Sequence, residues 1–200
     1  MPEPALSLPT LTLPAAIGAG RRDGDPPMIT APAKAVLQTL ILAFFGTAQD
    51  PAIDRTPYEK ELACLAQTVW FEARGSSFAD KLAVAQVVVN RVASDEHGDT
   101  VCSVVWEPAQ FSWTADGLPD RVELRGAIDE NAWTDSALAA LTAWSAALPD
   151  LTRGATHYHA DYVSPHWAQQ LHARGRFGQH LYYAAFEPAP EIAPPVPAPR

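Results

Sequence analysis

The chain has 200 residues, enough for one domain with its own core, and 48% of them are apolar. Its formal charge of −9 excludes the basic surface that nucleic-acid binding normally needs, and no basic run suits an anionic membrane surface. Two cysteines, Cys64 and Cys102, are too few for an unaided structural zinc site, but they can form one disulfide if the protein matures outside the cytoplasm.

Residues 1–33 are rich in Pro, Ala and Gly, without a sustained hydrophobic period, and read as a disordered segment or a mis-assigned start. Residues 34–48 look like a secretory signal: Lys34, the apolar run AVLQTLILAFF at 35–45, then the small-residue site Gly46-Thr47-Ala48. A membrane span needs about 20 apolar residues. The shorter run therefore predicts a start at Met28, cleavage after Ala48 and no stable membrane insertion of the mature chain, with an uncleaved anchor as the alternative. Residues 49–57 form a polar linker.

The stretch EKELACLAQTVWFEARG, 59–75, organises the rest. As a helix it puts Leu62, Leu65 and Val69 on one stripe, and the next step of that stripe is Glu72. A carboxylate that extends an apolar stripe is unusual, and Trp70 and Phe71 beside it would keep water away. Gly75 is the expected C-cap, so Glu72 falls in the last turn, at the negative end of the helix dipole. Burial and dipole both favour the protonated form, which is the form a general acid needs. The alternative is a surface pairing with Arg74 or another cation.

Ser76 and Ser77 offer N-caps for a second helix over 78–93, striped by Leu82, Ala85, Val89 and Val92 and broadened by Val84 and Val88, so this helix is expected to be the most buried. Residues 101–106 fit a short helix or a strand. From 107 to 131 the pattern is irregular, and a long irregular stretch inside a domain points to function. Thr134 or Asp135 is expected to cap a third helix that Pro149 ends, with Leu138, Leu141, Trp144 and Leu148 towards the core. Residues 155–163 and 176–186 read as aromatic-rich strands with a helical turn between them, in 165–175. The tail 187–200 carries six prolines in fourteen residues and reads as extended and disordered. The expectation is a single, mainly helical α+β domain over 58–186.

Six segments together resemble the spore cortex-lytic enzyme and bacterial cell wall hydrolase family: LACLAQTVWFEARG (62–75), LAVAQVVVNRV (82–92), TVCSVV (100–105), QFSWTADG (110–117), GATHYHADYV (154–163) and FGQHLYY (177–183). They occur in the family's order and span nearly all of the expected domain. The resemblance implies a lysozyme-like fold with a small antiparallel β element, cleavage of peptidoglycan glycan strands, and Glu72 as the catalytic acid. Cys64 and Cys102 match a cysteine pair of exported relatives, while Ala109 and Ala115 stand where such relatives often carry a second pair. Ser76 stands where many relatives have a second Glu. An exported location, periplasmic or extracellular, follows from the resemblance and the signal together; a phage-encoded or membrane-anchored protein is the alternative.

Cleavage between N-acetylmuramic acid and N-acetylglucosamine needs a proton on the leaving oxygen, assigned to Glu72, and then a second carboxylate or help from the substrate. Asp116 is the one acid of the QFSWTADG loop, but Asp-Gly is first a turn signal. Without a second carboxylate Glu72 can act as both acid and base, closing a 1,6-anhydro ring on the muramyl unit, which is lytic transglycosylase chemistry. Gln110, Ser112 and Trp113 are candidate sugar contacts, as are His157 and Tyr158; Trp113 could equally be core. On a strand His157 and His159 share a face and Tyr158 takes the other. No cofactor and no metal is expected, and the protein is expected to act as a monomer. The rivals are a hydrolytic muramidase using Glu72 and Asp116, a metal-dependent amidase on His157, His159 and His180, and a non-catalytic wall-binding protein. His180 itself reads as structural.

Overall fold

The computed structural model describes residues 55–186, together with Val36, Gln38, Thr39 and Ile41. The expected signal, most of the linker and the proline-rich tail lie outside the described residues. The four isolated positions are helical, and Ile41 is buried among the core residues. Among the described residues no helix is long and apolar enough to cross a membrane.

Helix α1 spans Pro57–Ala73. Thr56 caps it in a reciprocal arrangement: Glu59 N–H donates to the Thr56 hydroxyl, and Thr56 N–H donates to the Glu59 carboxylate. Leu62, Leu65 and Val69 are fully buried, as the stripe requires. The helix closes at Arg74 in right-handed geometry, so Gly75 is not the left-handed cap expected for it. Glu72 still falls in the last turn.

Helix α2, Phe78–Val92, is capped by the Ser77 hydroxyl, which accepts from Asp80 N–H. Residues 81–88 are buried without interruption, because α2 is covered on two sides. Leu82, Val84, Ala85 and Val88 join the main core, whereas Ala83 and Val87 meet Ala155 and Tyr182 beneath the sheet. The open choice at 101–105 resolves as a short helix α3, Val101–Val105, capped by Thr100. A disulfide joins Cys64 of α1 to Cys102 of α3, with Cα atoms 5.4 Å apart.

Helix α4 runs Ala127–Trp144, its cap Gly126 lying eight residues before Thr134, the earlier of the two expected caps. It starts at Gly126 without a side-chain cap, so the sequence carries no polar signal there, and Thr134 lies inside the helix, its hydroxyl donating to the Glu130 carbonyl. The expected inward face is also corrected. Leu141 and Leu148 are exposed, and Trp133, Ala137, Ala140 and Ala143 face the core instead, since small residues let α4 lie close to α1 and α2.

Strands β1 (His157–Ala160), β2 (His172–Phe177) and β3 (His180–Ala184) form one antiparallel sheet in the order β1-β3-β2. The expected helical turn is a 3-10 turn, His166–Gln170, and β2 follows it where no strand was expected. Polar side chains of α2 tie the sheet to the helices. Asn90 donates to the Ala155 carbonyl at 3.0 Å, and Arg91 Nε to the Thr156 carbonyl at 2.7 Å. The architecture is mainly helical α+β, as the sequence predicted.

Candidate active site

A cleft of about 790 Å³ opens where the end of α1 meets the sheet. Glu72, Tyr158, Arg91 and His180 lie along it, with Gln110 and Ser112 on the side of the loop after α3. Glu72 is the one carboxylate among the described residues that line this cleft. The Tyr158 hydroxyl donates a 2.7 Å hydrogen bond to Glu72 Oε2.

Burial pushes the Glu72 carboxyl above the usual carboxylate range, and the Tyr158 hydroxyl, with His180 and Arg91 nearby, offsets only part of that rise. Burial likewise raises the Tyr158 phenol, so it stays a neutral donor to Glu72. The Arg91 guanidinium is buried, anchored by the Thr156 carbonyl, and lies over the Phe111 ring at 5.3 Å. A protonatable acid in a partly dry cleft, with a fixed cation nearby, is suited to delivering a proton to a leaving oxygen.

Strand alternation sorts the 157–159 triplet as expected. Tyr158 turns to Glu72, while His157 and His159 pack on the Trp167 ring, at 5.4 and 5.5 Å between centroids. His159 also meets the Tyr183 hydroxyl at 3.1 Å and reaches the margin of the cleft. His157 lies outside it, and burial lowers its pKa. Gln110 and Ser112 do line the cleft, helped by Ala109, whose positive φ of 65° turns the chain just before them. Such a conformation costs energy for a residue with a side chain, and strain of this kind collects at sites.

Besides His157, two more expected site residues are not brought there. Trp113 is buried and stacked on Phe71 at 4.7 Å, so it backs the wall behind Glu72 and presents no face to a sugar. Asp116 is outside the cleft, where its carboxylate accepts the Leu118 N–H at 2.8 Å, the turn role that Asp-Gly suggested. The three histidines of the amidase reading do not converge. His180 faces Asp80, His159 faces Tyr183, and among the described residues no group of three His, Cys, Asp or Glu side chains is placed to hold a metal ion.

Arg91 is a lining residue that sequence reading missed, and His180, read from sequence as structural, lines the cleft as well. Asp80, whose carboxylate accepts from His180 Nδ1 and from the Tyr182 hydroxyl, both at 2.9 Å, was missed as well. An Asp in the first turn of a helix reads as a helix-end charge, and nothing local signals that a histidine 100 residues away will meet it.

A family model described as Cell Wall Hydrolase matches residues 75–183, more than half of the chain and beginning three residues after Glu72. Similar curated proteins include the spore cortex-lytic enzyme of Halalkalibacterium halodurans, 30% identical over 129 residues that make up 62% of this chain and 34% of the relative. That of Bacillus cereus is 26% identical over 129 residues, 62% of this chain and 44% of the relative. The chain thus spans less than half the length of these relatives. Among solved structures, the catalytic domain of the germination-specific lytic transglycosylase SleB from Bacillus anthracis aligns with a TM-score of 0.49 at 25% identity, covering 68% of this chain and all of that one.

Proposed function

Because this chain belongs to the cell wall hydrolase family, we propose that the cleft around Glu72 cuts the glycan strands of peptidoglycan between N-acetylmuramic acid and N-acetylglucosamine. The observation that carries this reading is Glu72 itself: half-buried, its pKa raised by that burial, and oriented by Tyr158 in the one large groove the α1–sheet junction makes among the described residues. Glu72 gives its proton to the leaving O4 of N-acetylglucosamine as the glycosidic bond breaks. The positive charge growing on the muramyl C1 is then quenched by the muramyl 6-hydroxyl, whose oxygen closes a 1,6-anhydro ring while its proton returns to the Glu72 carboxylate.

Ring closure is favoured over hydrolysis because no second carboxylate faces Glu72 across the cleft among the described residues. The two-carboxylate muramidase needs Asp116, which is occupied in a turn elsewhere. Gln110 and Ser112 supply the amide and hydroxyl contacts to sugar hydroxyls or N-acetyl groups. The spore cortex-lytic names of the relatives fit a wall substrate outside the cytoplasm, reached through the export signal at 34–48. The catalytic unit we assign is 58–186, acting as a monomer without a cofactor.

Purified protein incubated with sacculi tests the reading in one measurement. Soluble muropeptides 18 mass units lighter than hydrolysis products, resistant to borohydride, are expected. Reducible muramic acid ends would establish hydrolysis, and reducible N-acetylglucosamine ends would show that the other bond is cut. N-terminal sequencing of exported material should begin at Gln49.

A further inference from the structure

A lytic cut moves two protons, one to the leaving oxygen and one from the attacking hydroxyl, yet a single carboxyl faces this cleft among the described residues. Two histidines line it among the described residues; both ring nitrogens of His159 are taken, by the Ala160 carbonyl and the Tyr183 hydroxyl, which leaves His180 of β3. Its Nδ1 is held at 2.9 Å by Asp80, a carboxylate with no solvent exposure that also accepts from Tyr182. Burial alone would raise the Asp80 pKa, but the hydrogen bonds from His180, Ser76 and Tyr182 outweigh it and keep Asp80 ionised. An ionised acceptor on Nδ1 fixes the tautomer: the proton sits on Nδ1 and the lone pair on Nε2. Among the described residues Nε2 takes no hydrogen bond; it is not among the buried unpartnered atoms, and it belongs to a ring that lines the cleft. The ring is further fixed by the edge of Tyr158 at 5.2 Å, and Tyr158 is the residue bonded to Glu72. On its far side β3 turns at Gly178, where a Cβ would run into the Asp80 carboxylate, so the close approach of the turn to α2 depends on glycine.

We propose that His180, oriented by Asp80, is the base of the reaction: its Nε2 takes the proton of the muramyl 6-hydroxyl while Glu72 protonates the leaving oxygen. The inference rests on the glycan-cleaving reading above and replaces the return of that proton directly to Glu72. The step balances without any added reagent. The C1–O4 bond breaks, the C1–O6 bond forms, the Glu72 proton ends on O4, and the O6 proton ends on His180. The imidazolium then gives its proton to the Glu72 carboxylate through cleft water, which resets both groups. Asp80 does not touch substrate and is a positioning residue. The charged and titratable groups that face the ring are Asp80 and Arg91 of α2, Glu72 of α1, Tyr158 of β1 and Tyr182 of β3, with the Arg176–Asp161 ion pair beyond it on the exposed side.

His180→Asn separates a base from an anchor. The Asn amide can still donate to Asp80 from the Nδ1 position, but nothing replaces the lone pair of Nε2. The variant is expected to melt near the parent, to bind sacculi as the parent does, and to clear them about 30- to 100-fold more slowly, the range of a lost general base. The loss should fall on kcat, with KM within about threefold of the parent. Retention of more than a third of the parent rate, or a loss carried by KM, overturns the proposal and leaves His180 an anchor. If His180→Asn does not fold, Asp80→Asn decides. It keeps the shape of the site but loses the buried charge that fixes the tautomer, so kcat should fall about tenfold with KM unchanged; an unchanged kcat overturns the proposal. Glu72→Gln assayed on the same sacculi keeps the two claims apart: an active Glu72→Gln protein defeats the reading of the cleft itself, whatever His180 does.

Discussion

The Tyr158 hydroxyl reaches 86 residues back along the chain to hold Glu72 Oε2 at 2.7 Å. This one bond joins the last turn of α1 to the first strand of the sheet; it positions the carboxyl and offsets part of the pKa rise that burial causes. A hydroxyl donor favours the charged carboxylate, so its removal pushes the Glu72 pKa higher still. Tyr158→Phe is therefore expected to slow clearing of sacculi by about tenfold or more through lost positioning. The falling limb of the pH–rate profile should shift to higher pH, because the acid now keeps its proton longer. A fall in rate with a limb moved to lower pH would contradict the assignment of Glu72 as the proton donor.

Glu72→Gln should remove activity by about two to four orders of magnitude, the range for a lost general acid. The same variant should be more stable at neutral pH. A carboxyl whose folded pKa is raised contributes its full stability below the unfolded value, and loses it as the pH climbs through the folded one. Gln never ionises and can still accept from Tyr158. Its melting temperature should exceed that of the parent by a few degrees at most at pH 7, roughly the scale of 1 kcal/mol in a domain of this size, and the difference should close near pH 4. Melting curves at the two pH values check this.

Replacing both Cys64 and Cys102 with Ser should cost about 3–4 kcal/mol, by loop-closure reasoning for a bridge of this span. The bonded residues are separated by 38 positions. Denaturant titration of the oxidised parent and the variant measures the difference. The rate per folded molecule should not change, since neither cysteine lines the cleft.

Asp116→Asn should leave the rate within about tenfold of the parent, because the side chain serves a turn that Asn can also close. Collapse of activity in this variant, together with reducible muramic acid ends, would instead describe a muramidase with two carboxylates.

Glu72 was legible because helix periodicity is strict: three buried positions at steps of three and four point to the fourth. Tyr158 was legible for the same reason on a strand, where alternation leaves one face for it and the other for His157 and His159. Helix α4 was misplaced because its polar and apolar residues mark no single stripe, with alanines and buried polar residues such as Thr134 and Ser136 on its inner side, and because it opens at a glycine. Strand β2, HARGRF, was missed because its interior carries charges and a glycine, residues depleted in strands. Its buried Arg174 is accommodated by the Phe186 carbonyl and ring, a partnership only the fold reveals. The Asp80–His180 pair belongs to the same class of fact.

The cysteine bridge fastens α1 to α3 and leaves the sheet to be held by side-chain hydrogen bonds from α2. Glu72 travels with the first group and its neighbours Tyr158 and His180 with the second. A molecule whose helices are formed but whose sheet has not docked would carry Glu72 as an ordinary surface acid, ionised and solvated at neutral pH. The cleft is thus a property of the seam between helices and sheet, and it exists only where both are docked.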